Sequence, residues 1–438
     1  MSRRSKMSRR PPKHSPSHPI RAPTLSGDII FCIVRSNFHT TGVINNLSKT
    51  CRLYCGALDS LLYKADVLMA KQRVVDRRYQ HFYADPFLNL SVGAESCNLY
   101  DSGASALHWA AKANDSVGIT VAQKSIKAAL VYWPDYLHVQ CGRTAAMTPL
   151  QLAAKYGADE IIQELIKAGS LVDTQIILDV TRNPCKKFRL SELLQYRCFK
   201  ATSLHIAMLY GHVHTAETLA HLTQNLEDSQ ETPGVFSPLK LAAMCKMPSV
   251  IKILQTRGYK VLGNERYLRD MRYTPIHFAA STDGNEETLR FLMNTGYSAK
   301  AVDNDGRCPF GTAIAFRCLS NALFLIKDLS AEEKLDVADM HFDKLIRKDV
   351  FLPVVKTLLE HNNIGRHRAR RYKNVILKHY NNQDWRKYIL DTLDFLIHHP
   401  NIIFSKNTHA SLVAGIAETR EEAELVGFFV NYSHRYKE

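Results

Sequence analysis

The chain has 438 residues, with 57 Lys and Arg against 42 Asp and Glu for a formal charge of +15, and 45% of its residues are hydrophobic. That balance excludes wholesale disorder, and a length near three ~150-residue domains predicts more than one folding unit. No apolar run approaches the ~18 residues that span a bilayer, and the ten cysteines include no Cys-x-x-Cys pair, so a membrane-spanning protein and a disulfide scaffold are excluded and a zinc site is disfavoured.

Residues 1–24 hold five of the sixteen prolines, and residues 1–27 carry seven basic side chains with no acid. Such a stretch cannot bury enough apolar surface to offset its chain entropy, which predicts a disordered basic tail. Its charge could serve nuclear import, a phosphate contact or simple solvation. It lacks the apolar stretch of a secretory signal, so the scattered cysteines read as reduced thiols and the expected location is cytoplasmic, nuclear or both.

From Leu25 onward, Leu25, Ile29, Ile30, Ile33 and Val34 recur at three- and four-residue steps, the mark of one helix face. A second set follows in Val43, Ile44, Leu47, Cys51 and Leu53, then a third in Leu58, Leu61, Leu62 and Tyr63. Residues 25–72 are thus about three short helices, too small for a generous core of their own. They are expected to dock on something. Residues 73–100 read as a linker.

An internal repeat begins at about residue 101. Ser105-Ala-Leu-His-Trp-Ala-Ala111 is answered by Thr148-Pro-Leu-Gln-Leu-Ala-Ala154, Thr202-Ser-Leu-His-Ile-Ala207, Ser237-Pro-Leu-Lys-Leu-Ala-Ala243 and Thr274-Pro-Ile-His-Phe-Ala-Ala280. A degraded copy, Cys308-Pro-Phe-Gly-Thr-Ala313, closes the series. The anchors Leu107, Leu150, Leu204, Leu239, Ile276 and Phe310 are 43, 54, 35, 37 and 34 residues apart, with insertions near 115–146 and 172–200. Thr or Ser is a helix N-cap, and Pro behind it sits at N1, where its missing N–H costs nothing. Leu and the Ala pair let a short inner helix pack closely, and a second helix follows with teeth such as Ile161, Ile162 and Leu165. Gly169, Gly258 and Gly296 fall where a left-handed residue ends that second helix.

Beyond residue 330 the motif fades while helical sets persist, such as Val354, Val355, Leu358 and Leu359. Residues 331–438 are therefore read as degenerate or capping repeats. The densest charge here, Arg366 to Lys373, suits an acidic partner, nucleic-acid phosphate, import or plain solvation.

No phosphate-binding loop, nucleophile elbow or metalloprotease motif occurs, and the acidic pairs sit on helix surfaces. His108, His205 and His277 share the fourth place of the motif, so their rings are expected to bond within and between repeats. No enzyme activity, catalytic residue, cofactor or metal is predicted. Nucleic acid and membrane are disfavoured as partners, and the chain alone is expected to be a monomer.

The motifs of residues 101–330 resemble the ankyrin-repeat family, which implies an all-α solenoid of helix-turn-helix units with finger loops. The preceding unit resembles an F-box, through Leu25-Ser-Gly-Asp-Ile29-Ile30 with Ile33, then Leu47-Ser-Lys-Thr-Cys51-Arg-Leu53-Tyr54. Ser26 and Asp28 depart from the usual Pro and Glu. The combination looks like the F-box/ankyrin proteins common in filamentous fungi. It implies a substrate-recognition subunit of a cullin–RING ubiquitin ligase, with Leu25, Ile29, Ile30, Ile33, Leu47, Cys51, Leu53 and Tyr54 on a Skp-type adaptor in the helix-in-groove manner. Alternatively the chain is a non-enzymatic ankyrin scaffold or nuclear interaction protein whose N-terminal helices only cap the array. In either case finger residues Asp270, Arg272, Tyr273, Asp303, Asn304, Asp305 and Arg307 are candidates to meet the protein partner.

Overall fold

A computed structural model describes residues 63–72, 105–141, 147–179, 181–182, 184–189, 198–224, 237–259, 274–303, 306–346, 351–360, 364–380 and 395. Helix α1 covers 63–72. The repeats then supply α2 (Ala106–Ala113), α3 (Ser116–Tyr132), α4 (Pro149–Tyr156), α5 (Asp159–Lys167), α6 (Ser203–Tyr210) and α7 (Val213–Leu222). They continue with α8 (Pro238–Met244), α9 (Pro248–Thr256), α10 (Pro275–Ala280), α11 (Glu286–Asn294), α12 (Pro309–Phe316) and α13 (Leu319–Ile326). Helices α14 (Ala331–Leu345), α15 (Leu352–Leu359) and α16 (Arg366–Tyr380) follow.

These helices stack in two rows. The inner row runs α2, α4, α6, α8, α10, α12, α14, each packed on the next, and α16 packs on α14. The outer partners pack behind them, α9 on α7, then α11, α13 and α15 in turn. The architecture is an all-α ankyrin-repeat solenoid. Its inner helices are short, and the fully buried pairs Ala110-Ala111, Ala153-Ala154, Ala242-Ala243 and Ala279-Ala280 let them pack closely in the stack. Outer helices show one buried stripe, as Ile161, Ile162 and Leu165 do in α5. Gly169, Gly258 and Gly296 adopt φ of 92°, 93° and 102°, so a side chain there would strain the turn that ends each outer helix.

Both insertions are structured. Within 115–146 lies α3, at 17 residues far longer than the nine of α5, followed by a 3-10 turn at Pro134–His138. Within 172–200, strands β1 (Ile176–Asp179) and β2 (Cys198–Ala201) pair antiparallel, Ile176 opposite Ala201 and Leu178 opposite Phe199. These four side chains are buried while Ile177 faces water, the period-2 alternation of a half-covered hairpin. A 3-10 turn, Cys185–Phe188, lies in their connection. Past residue 330, α14 and α15 form a further pair in the same two rows, and α16 opens the next inner position.

Candidate interaction surface

The fourth motif residue ties the first, second and fifth repeats to the segment that follows each. His108 Nδ1 accepts from the Ser105 N–H (3.2 Å) and hydroxyl (2.7 Å), while its Nε2 lies 3.2 Å from the Met147 carbonyl. Since Nδ1 receives a backbone N–H, the proton sits on Nε2 and is donated to the next repeat. His277 does the same with Thr274 and with the Arg307 carbonyl at 2.9 Å, and burial holds its pKa below the ordinary histidine value. His205 Nδ1 is 2.8 Å from the Thr202 hydroxyl. Gln151 substitutes chemically: its carbonyl oxygen accepts from Thr148 N–H at 2.9 Å, and its amide donates to Thr174 O at 2.8 Å. Each is a capping box, and His108, Gln151 and His277 add an arm that reaches the following finger.

The degraded sixth motif is repaired from outside. Gly311 stands where the others have His, Gln or Lys, and the imidazole of His341 on α14 fills the gap. Its Nε2 lies 3.7 Å from the Cys308 thiol, and a Cβ on Gly311 would come within 2.9 Å of its Cε1. The Phe310 ring meets it edge-on at 5.3 Å. Burial, reinforced by Lys344, lowers the His341 pKa to about 4. Sequence reading missed this residue because it lies a full repeat away. It also missed Asn285 and Asn321. Asn285 donates to the Ala243 and Ala279 carbonyls at 2.7 and 3.0 Å, its N–H donates to Asn321 Oδ1 at 2.9 Å, and Asn321 donates to Ala280 O and Thr282 O.

Of the finger candidates, Asp303 and Arg307 are described, whereas Asp270, Arg272, Tyr273, Asn304 and Asp305 lie outside the described residues. Asp303 is buried, not solvent-facing: its carboxylate accepts the Arg307 N–H at 2.7 Å and closes the finger. The half-exposed Arg307 guanidinium lies 3.9 Å from that carboxylate, and Gly306 makes the turn with φ of 70°. Leu25, Ile29, Ile30, Ile33, Leu47, Cys51, Leu53 and Tyr54 also lie outside the described residues.

What is described of the N-terminal unit, α1, packs on the first repeat. Ala65, Val67 and Ala70 are buried, and Lys64 lies 4.9 Å over the Tyr132 ring. The Asp66 carboxylate accepts from Ala106 N–H at 3.0 Å, at the start of α2, and from the buried Tyr136 hydroxyl. An acid at a helix N-terminus is favoured by the exposed N–H groups and the dipole.

At the far end, the basic run of α16 is partly neutralised. Arg368 donates to Asp339 at 2.8 Å and Asp336 at 3.0 Å, both on α14, and Tyr372 is buried with its ring stacked on Phe342 at 4.2 Å. His367 and Arg370 remain exposed. Among the described residues no group of His, Cys, Asp or Glu could hold a metal ion, and no helix is long and apolar enough to cross a membrane.

A family model for ankyrin repeats, in three copies, matches residues 239–337, and one for a single ankyrin repeat matches residues 147–176. These spans fall on α8 to the start of α14, and on α4 and α5. No curated protein matches the chain by sequence. Among solved structures, the human ASB11 ankyrin repeat domain is similar at 18% identity, covering 62% of this chain and 97% of that one, with a TM-score of 0.34.

Proposed function

We propose that this chain, an ankyrin-repeat module for protein interaction, is the target-recognition subunit of a cullin–RING ubiquitin ligase. In this reading the solenoid holds the target and the F-box-like helices of residues 25–72 hold a Skp-type adaptor. The observation supporting the recognition half is the set of His108, Gln151 and His277 bonds, which fix the segments that follow the first, second and fifth motifs. A surface held in place before binding loses little freedom when a partner arrives. The adaptor half rests on the resemblance of Leu25 to Tyr54 and on the expected location in cytoplasm or nucleus, where such ligases work.

The test is co-purification of the full chain with an adaptor–cullin complex. Ile29→Asp together with Leu47→Asp should abolish capture while leaving the helical circular dichroism of the repeats intact, because a charge in an apolar groove costs several kcal/mol unless paired. The second reading, a scaffold whose N-terminal helices cap the array, is favoured by the seating of α1 through Asp66 and Val67. If the wild-type chain captures no adaptor at micromolar concentration, the scaffold reading stands.

A further inference from the structure

Helix α16 turns a basic face to water. Among its described side chains, Ala369 and Tyr372 are buried, whereas His367, Arg370, Arg371 and Asn374 are exposed. Those four stand at i, i+3, i+4 and i+7, so they share one side of the helix. No acid occurs from residue 361 to residue 383, so nothing within the helix offsets that charge. The first turn adds to the imbalance, since it holds His367 and Arg368 and no acid where free N–H groups already favour anions.

The acids that α14 brings alongside are engaged by a single side chain. Arg368 takes Asp339 at 2.8 Å and Asp336 at 3.0 Å, and so clamps α16 to α14. Arg371 reaches Asp339 only at 4.0 Å and keeps 55% of its side chain in water. His367 and Arg370 pair with no acid among the described residues. The Arg368 clamp and the stack of Tyr372 on Phe342 fix the helix, so its outer face is set before any partner arrives.

Guanidinium groups suit carboxylates and phosphates alike, and here the surroundings separate the two. From His367 to Asn374 the helix rises ~10.5 Å, the length of about three extended residues. Asp336, bonded to Arg368 and with 62% of its side chain exposed, borders this short face. A nucleic-acid duplex, with one phosphate about every 1.7 Å of axis, would bring charge against that carboxylate. An extended peptide with an acid at every second position spaces its carboxylates ~6.6 Å apart, near the ~6 Å rise from His367 to Arg371. The Asn374 amide can donate to a carboxylate or a peptide carbonyl at the far end.

We propose that the face of α16 formed by His367, Arg370, Arg371 and Asn374 binds an extended acidic segment of a protein partner, with Asp or Glu at alternate positions. Arg370 and Arg371 are its main anchors. The site lies apart from the fingers, and it depends on neither adaptor recruitment nor ligase membership.

The probe is a fluorescent peptide of about ten residues in which Glu alternates with Ser. It is titrated into three full-length chains: wild type, Arg370→Glu with Arg371→Gln, and Asp336→Asn. The double variant should keep the wild-type helical spectrum, since both side chains are exposed, and bind the peptide at least fivefold more weakly. Asp336→Asn should bind it at least twofold more tightly, a gain that misfolding cannot produce. A peptide with Gln in place of Glu should bind wild type at least fivefold more weakly. The basic residues 1–27 are the same in all three chains, so differences among the chains report on α16. The proposal is overturned if any of these three changes is smaller, or if the double variant weakens binding of a duplex oligonucleotide more than binding of the peptide. Adaptor capture by the same chains is expected to be unchanged, so loss of the ligase reading leaves this result standing.

Discussion

Removing the His277 imidazole would strip three hydrogen bonds from one buried place, leaving the Thr274 N–H without its partner and the Arg307 carbonyl with the Asp303 N–H. An unsatisfied buried group costs about 1–3 kcal/mol, so His277→Ala should lower stability by about that amount in urea denaturation. His277→Gln should recover most of the loss, because Gln151 already bridges cap and finger with the same amide. At His341 the outcome depends on pH. With a folded pKa of about 4, below the ordinary 6.5, the unfolded chain binds more protons between those values. The contribution is full above about pH 6.5 and falls as pH drops toward 4, by up to about 3 kcal/mol. The stability difference between wild type and His341→Leu should therefore shift in favour of the variant between pH 7 and pH 5, which paired thermal melts would record. The structural task of the motif histidines was legible, since three copies at one motif position cannot all be chance ligands. The His341 repair was not, because Cys308 to Ala313 read as decay and the compensating ring lies 33 residues beyond Cys308. Asn285 and Asn321 were equally hidden, since their partners are carbonyls of other repeats.

Among elements, the inner helices were readable because capping residue, Pro, Leu and Ala pair each have a local reason to stand in order. Leu150, at 1% exposure, should cost ~2–5 kcal/mol when cut to Ala, whereas Pro149→Ala should cost little. The insertions were readable only as extra length. Nothing local in Ser116 to Tyr132 announces that the addition is helix, since its exposed face carries Val117, Leu130 and Val131 and blurs the period. The reach of Arg189 to Phe316 spans 127 residues, and no spacing rule extends that far. Helix α1 makes a prediction of its own. Asp66→Ala should leave Tyr136 and the start of α2 without an acceptor and cost about 1–3 kcal/mol. Amide exchange should quicken in α2 and α3, with α10 to α13 unaffected, because the loss stays with the nearest neighbours.

For the whole molecule, each unit leans only on the units beside it, and stability is close to a sum over units and their shared faces. A chain beginning at residue 101 should keep one main helical melting transition while its first repeat, deprived of α1, frays; a sheet-rich spectrum would contradict the architecture. The two ends differ in kind. At the N-terminal side a separate helix lends Asp66 to a complete repeat. Toward the C-terminal side the sixth repeat is incomplete, with a notch at Gly311 that only the His341 ring of the seventh unit fills. Under tension applied at the C-terminus, once α16 has come away from α14, drawing out α14 also withdraws the ring that completes the unit behind it. The seventh and sixth units should then give way in a single extension event about twice as long as those that follow, so the molecule would yield from that end in unequal steps.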